Sequence, residues 1–145
     1  KPSGQKEKYI FVYPTQITPK LKTAVKLLKE KTGLKAVSPF YIPGCKTVKD
    51  IGPREFIDYI ANAEYVVASS FHATAFSLIF NKRLIVVTHN QTGSRTTDLL
   101  NRVGMGNCII SEAEAVDSLQ WNYADCNELM KKYIKESKDF LDKAL

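Results

Sequence analysis

The stretch Tyr65-Val66-Val67-Ala68-Ser69-Ser70-Phe71-His72-Ala73-Thr74-Ala75-Phe76-Ser77-Leu78-Ile79-Phe80 decides the fold. Tyr65 to Ser69 is a β-prone run without polar alternation, the pattern of a strand covered on both faces. After a very short turn, Phe71 to Asn81 reads as a helix with almost no polar surface, so it has to be buried against a sheet. A two-face-buried strand followed at once by a buried helix predicts one unit of a parallel α/β sheet.

The same alternation continues in both directions. Upstream, Tyr9-Ile10-Phe11-Val12-Tyr13 is a strand ended by Pro14. Pro19 opens a helix with its stripe at Leu21, Ala24, Val25 and Leu28, and Gly33 closes it. Lys35 to Tyr41 reads as a strand, and Ile42 to Asp50, with Pro43-Gly44, as a loop. Pro53 starts a helix carrying Phe56, Ile57 and Ile60. Downstream, Arg83 to Thr88 is a strand, and the polar loop Asn90 to Gly93 leads into a helix from Ser94 to about Val103. Asn107 to Ile110 is a short strand, and Tyr123 to Ala144 a final helix. The reading is α/β: a doubly wound, mostly parallel sheet with helices on both faces, residues 1–145 forming a single Rossmann-like domain.

Composition narrows the class. With 145 residues, 44% hydrophobic and 25% charged, the chain is long and apolar enough for one ordinary core. A formal charge of +6 favours anionic ligands. Nucleic acid is not expected, because no aromatic-basic platform or recognition motif accompanies the lysines. The three cysteines, Cys45, Cys108 and Cys126, form no CxxC pair, which argues against a disulfide framework, gives no metal-ligand spacing and suits a reducing compartment. No apolar run approaches the ~20 residues of a membrane span, so a cytoplasmic domain is expected. The chain starts Lys1-Pro2-Ser3-Gly4 rather than with Met, which reads as a cut from a longer protein or a processed terminus, so that half of an active site can lie outside it.

Ligands of open parallel sheets bind beyond the carboxyl ends of the strands. That rule selects two places. At the first, Ser69-Ser70-Phe71-His72-Ala73-Thr74, the free N–H groups of a helix start suit a phosphate or carboxylate. Ser69, Ser70 and Thr74 add hydroxyl donors, and His72 a charge-assisted hydrogen bond or a proton. The plainer reading stands beside it: a serine as N-cap and His72 as a capping or core histidine. A helix as apolar as Phe71–Phe80 gives no packing reason for an imidazole in its first turn. At the second place, Gly93-Ser94-Arg95-Thr96-Thr97, Ser94 is a plausible N-cap. Arg95 opposes the helix dipole there unless an anion is bound; an Arg95–Asp98 surface pair is the alternative. Lys46, Arg54 and His89 are weaker candidates, and Trp121 and Tyr123 read as packing anchors. The sequence has no GxGxxG, Walker A loop, GxSxG elbow or HExxH.

At these residues the chain resembles the polysaccharide pyruvyltransferase family. The match runs from Gly52-Pro53-Arg54-Glu55-Phe56-Ile57 through Ala63 to Ser77, into Phe80-Asn81-Lys82-Arg83-Leu84-Ile85, and ends near Ser94-Arg95-Thr96-Thr97-Asp98-Leu99-Leu100. The Ser-Phe-His segment before a small-residue helix is its specific part; Ala73 stands where the family usually has Gly. The resemblance implies the C-terminal, donor-binding, Rossmann-like half of a GT-B-like two-domain enzyme. Such an enzyme transfers pyruvate as a ketal from phosphoenolpyruvate to a hydroxyl pair of a cell-surface or exopolysaccharide sugar. The partners implied are a small anionic donor, a saccharide acceptor and the missing N-terminal domain, with phosphoenolpyruvate as donor substrate, no separate cofactor and no metal ligands. His72 takes the place of the donor-site histidine, and Arg95 that of a donor-anion contact. Two rivals remain open: a nucleotide-sugar glycosyltransferase donor domain, and a non-catalytic anion-binding module.

Overall fold

A computed structural model describes residues 8–87 and 95–110, and from the C-terminal part residues 115, 116, 119, 121, 123, 124, 126–132 and 135. Strands β1 (Tyr9–Tyr13), β2 (Lys35–Ser38), β3 (Lys46–Thr47), β4 (Tyr65–Ala68), β5 (Arg83–Val87) and β6 (Ile109–Ile110) alternate with helices α1 (Pro19–Thr32), α2 (Pro53–Asn62), α3 (Phe71–Ile79) and α4 (Arg95–Arg102). The strands make one six-stranded sheet in the order β3-β2-β1-β4-β5-β6. Every pairing is parallel, with Phe11 opposite Val37 on one side and Val66 on the other.

Alternate side chains explain the two layers. Ile10, Val12, Val67, Ile85 and Val87 pack on the α1 residues Leu21, Ala24, Val25 and Leu28. Phe11, Val66, Ala68, Leu84 and Val86 point the other way, to residues of α2, α3 and α4. The buried strand runs are thus apolar throughout because both faces are covered. Helix α1 has the ends its sequence specifies: the Thr18 hydroxyl accepts from Leu21 N at 3.1 Å, Pro19 follows, and Gly33 closes it at φ 74°. At the far end, Trp121 Nε1 donates to Leu84 O at 2.8 Å and the Tyr123 hydroxyl donates to Lys82 O, which ties the last segment to β5. Both aromatics are packing anchors, as read from the sequence.

Several boundaries differ from expectation. The second strand stops at Ser38 rather than Tyr41, and Pro39 and Phe40 turn into the carboxyl-end loop. The region read as a loop contains β3, whose Lys46 and Thr47 pair with Val37 and Ser38. An edge strand of two residues with a lysine carries no apolar run to betray it. The stretch read as Asn107–Ile110 divides into a 3-10 turn, Gly106–Cys108, and the two residues of β6.

Candidate active site at the carboxyl edge of the sheet

The order β3-β2-β1-β4-β5-β6 reverses direction between β1 and β4, the point where an open parallel sheet forms a crevice. From β1 the chain passes to α1 on one face; from β4 it passes to α3 on the other. Ser69 ties the two departing loops together. Its backbone N–H donates to Tyr13 O at 3.3 Å, its Oγ accepts from Thr15 N at 2.7 Å, and it lies 3.2 Å from Thr15 Oγ1.

Beside this tie lies a groove of about 770 Å³ lined by Tyr13, Pro39, Phe40, Asp50, Ile51, Gly52, Pro53, Phe56, Ile57, Ser70, His72 and Phe76. These residues come from the end of β1, the loops after β2, β3 and β4, and the opening turns of α2 and α3, so the groove sits at the carboxyl edge. Its aromatic residues contact one another in series: Tyr13–Phe40 at 5.2 Å and 58°, Tyr13–Phe56 at 4.7 Å and 62°, Phe56–Phe76 at 6.2 Å and 80°.

The residues proposed from the sequence fall into distinct places. His72 is exposed in the first turn of α3 and lines the groove. Its ring stands edge-on to Phe71 at 5.8 Å. Ser70 is the N-cap of α3, its Oγ accepting from Ala73 N at 3.1 Å, and it lines the groove as well. The capping reading is therefore realised for Ser70, while its own hydroxyl proton stays available to a ligand. Arg95, exposed at the first residue of α4, lays its guanidinium 4.4 Å over the Phe71 ring. Among the described residues no ion pair joins it to Asp98. The imidazole and the guanidinium thus meet around one aromatic ring.

Three of the proposed residues do not line the groove: Arg95, which stands beside Phe71, and Thr74 and Ser69. Thr74 is fully buried, and among the described residues its Oγ1 has no hydrogen-bond partner. One turn beyond the cap, it faces the core side of α3 along with Ala73, Ser77 and Leu78. The Ser69 Oγ is engaged by Thr15. Ser94 and His89 lie outside the described residues. Arg54 is exposed near the start of α2 but is not part of the groove wall, and Lys46 lines a second concavity of about 430 Å³ between the β2–β3 edge and α2, which shares Asp50 and Ile51 with the groove. Sequence reading missed Tyr13, Phe40, Asp50, Phe56 and Phe76. An aromatic at a strand's carboxyl end, followed across the sheet by another in a Pro-Phe loop, is the signal that was there to find. Among the described residues no group of three or more His, Cys, Asp and Glu side chains has the arrangement to hold a metal ion. No described helix is long and apolar enough to cross a membrane.

The fold is an open, doubly wound Rossmann-like sheet, with Ser70 and His72 on a groove beside its switch point. The sequence model for polysaccharide pyruvyl transferase matches residues 3–91, more than half of the chain. The chain belongs to the polysaccharide pyruvyl transferase family. No curated protein matches it in sequence. In structure it is similar to the UDP-GlcNAc 2-epimerase from Neisseria meningitidis bound to UDP-GlcNAc, with TM-score 0.53 and 9% identity over 92% of this chain and 37% of that one. It is also similar to the MnaA–UDP structure from S. aureus, with TM-score 0.51 and 12% identity over 91% of this chain and 38% of that one. At such identities the likeness concerns the fold alone, that of one Rossmann-like half of a GT-B enzyme. The chain spans little more than a third of the length of those structures.

Proposed function

We propose that this chain is the donor-binding half of a polysaccharide pyruvyltransferase and that its carboxyl-edge groove works with phosphoenolpyruvate. The observation that carries the reading is the placement of His72, exposed at the head of α3 on the groove wall, with Arg95 stacked on the adjoining Phe71. Phosphoenolpyruvate carries a phosphate and a carboxylate and needs two convergent donor sets. The first is the α3 N-terminus with Ser70 and His72. The second is the Arg95 guanidinium, whose planar fork grips either anion in bidentate fashion.

The transfer balances as follows. The enol carbon takes a proton and becomes a methyl group, and the neighbouring carbon becomes cationic. One sugar hydroxyl attacks that carbon, its bond to the phosphate oxygen breaks, and a second hydroxyl closes the ketal. Of the two hydroxyl protons, one is accounted for by the methyl group and the other by hydrogen phosphate. In this scheme His72 holds the phosphate and relays protons, and the positive helix end offsets charge on the leaving group.

The test is a titration of the chain with phosphoenolpyruvate, inorganic phosphate and UDP-GlcNAc, followed by the His72 imidazole resonances and by calorimetry. The expected result is saturable binding of phosphoenolpyruvate, tighter than phosphate, with a shift of the His72 signals that disappears in His72→Ala. Preferential binding of UDP-GlcNAc would instead place the chain with nucleotide-sugar enzymes. In the enzyme that contains this chain, unchanged ketal formation by His72→Ala would overturn the role given to the histidine.

A further inference from the structure

The groove has a second chemical character that the donor does not use. Phosphoenolpyruvate is small and strongly anionic, and the residues proposed to hold it are Ser70 and His72 on the groove wall and Arg95 beside Phe71, on α3 and α4. The rest of the wall is mainly aromatic and aliphatic, Tyr13, Phe40, Phe56, Ile51 and Ile57, with one carboxylate, Asp50, at the border with the concavity that Lys46 lines. A carboxylate repels phosphate, so this part of the groove calls for a neutral ligand with an apolar face and hydroxyl donors.

We propose that this part of the groove is the acceptor-sugar subsite: a pyranose ring packs its C–H face on Phe40 and Tyr13 while Asp50 accepts hydrogen bonds from its hydroxyls. The inference rests on the transferase reading above. Three observations support it. Phe40 keeps 40% of its surface exposed although it contacts Tyr13 at 5.2 Å, so a ring face is left open at the mouth of the groove. Successive rings are inclined by 58°, 62° and 80°, so no two neighbouring rings in the series form parallel walls for a flat nucleobase. A puckered ring with C–H bonds on one face fits such inclined π surfaces, whose faces carry negative potential.

Asp50 is the third. It holds φ at 59°, in the left-handed region that non-glycine residues seldom occupy, directly before the Ile51-Gly52-Pro53 lead-in to α2. It is exposed and lines both the groove and the neighbouring concavity, and among the described residues no hydrogen bond or ion pair engages it. With His72 on the same wall, a hydroxyl held by Asp50 and a donor held by His72 share one cavity, which ketal formation on a hydroxyl pair requires.

Saturation-transfer NMR of the chain with the methyl glycosides of glucose, galactose, mannose and N-acetylglucosamine tests the subsite without any donor. At least one glycoside is expected to receive saturation at its ring C–H protons. Phe40→Ala and Asp50→Gly should each weaken that binding about tenfold. Both sites are exposed and glycine tolerates the Asp50 backbone, so these variants keep the fold, which circular dichroism checks. In the enzyme containing this chain, the same variants should raise the acceptor KM and leave the phosphoenolpyruvate KM in place. No saturation of any glycoside, binding indifferent to both substitutions, or displacement of the sugar by uridine would each overturn the subsite. The donor titration separates the two claims: sugar binding without phosphoenolpyruvate binding keeps the subsite and removes the donor assignment, and the converse removes only the subsite.

Discussion

The Arg95 guanidinium rests 4.4 Å over the ring of Phe71, the residue immediately before His72. A cation at the first residue of a helix opposes the dipole, and the π face offsets part of that cost while holding the guanidinium beside Phe71. Replacing Arg95 with Ala should therefore lower the affinity for phosphoenolpyruvate about 10- to 100-fold, the range expected for hydrogen bonds to a charged group. Arg95→Lys should recover little of it, since an ammonium neither stacks as a plane nor grips two oxygens at once. Calorimetric titration of the three proteins checks this; equal affinity in Arg95→Ala would remove the residue from the donor site.

Ser70 has two duties that substitution can separate. Its Oγ caps α3 by accepting from Ala73 N at 3.1 Å. Ser70→Ala should cost about 1 kcal/mol of stability in urea unfolding, and Ser70→Gly only a few tenths. Ser70→Asp should keep the cap and the stability, and still reduce phosphoenolpyruvate affinity, because a second negative charge then stands where the anion binds. Full affinity in the Asp variant would show that Ser70 serves the helix alone.

How much of this was legible follows from what kind of force placed each residue. The buried runs at β1, β4 and β5 and the ends of α1 are local consequences of hydrophobic pattern, Pro19 and Gly33, so sequence reading found them. The position of His72 followed from the rule on strand ends. The aromatic series did not, because Tyr13, Phe40, Phe56 and Phe76 belong to four separate elements that only the sheet order brings together. Thr74 misled for a related reason. A hydroxyl within a turn of a helix start suggests a donor to the ligand, yet its rotation about the α3 axis puts it on the side that faces the core.

That burial leads to a stability prediction. Thr74 is fully buried and its Oγ1 has no partner among the described residues. An unpaired buried hydroxyl costs roughly 1–3 kcal/mol of desolvation, and Val has nearly the same shape without it. Thr74→Val should leave the protein as stable as the wild type or more stable by about 1 kcal/mol, with donor affinity unchanged. A loss of stability in urea unfolding would mean that the hydroxyl has a partner in the folded protein.

The last prediction concerns alkaline pH. Cys108 is fully buried beside Cys126, and burial first, then the neighbouring thiol, pushes its pKa from 9.0 up to about 12. The folded state therefore keeps this proton at pH values where the unfolded chain has released it, so the stability that the neutral thiol contributes is complete below about pH 9 and declines between about pH 9 and 12. Partly buried Tyr123 is also pushed upward by desolvation, whereas Lys82 has its pKa lowered by burial and gives the opposite slope. A Cys108→Ala variant isolates the thiol from both, since the methyl side chain titrates nowhere. Between about pH 8 and pH 10.5 the wild type should lose roughly 1–2 kcal/mol more than the variant in urea unfolding. Parallel stability curves for the two proteins across that range would show that Cys108 ionises as easily in the folded protein as in the unfolded chain, and that the core around Trp121 and Tyr123 is open to water.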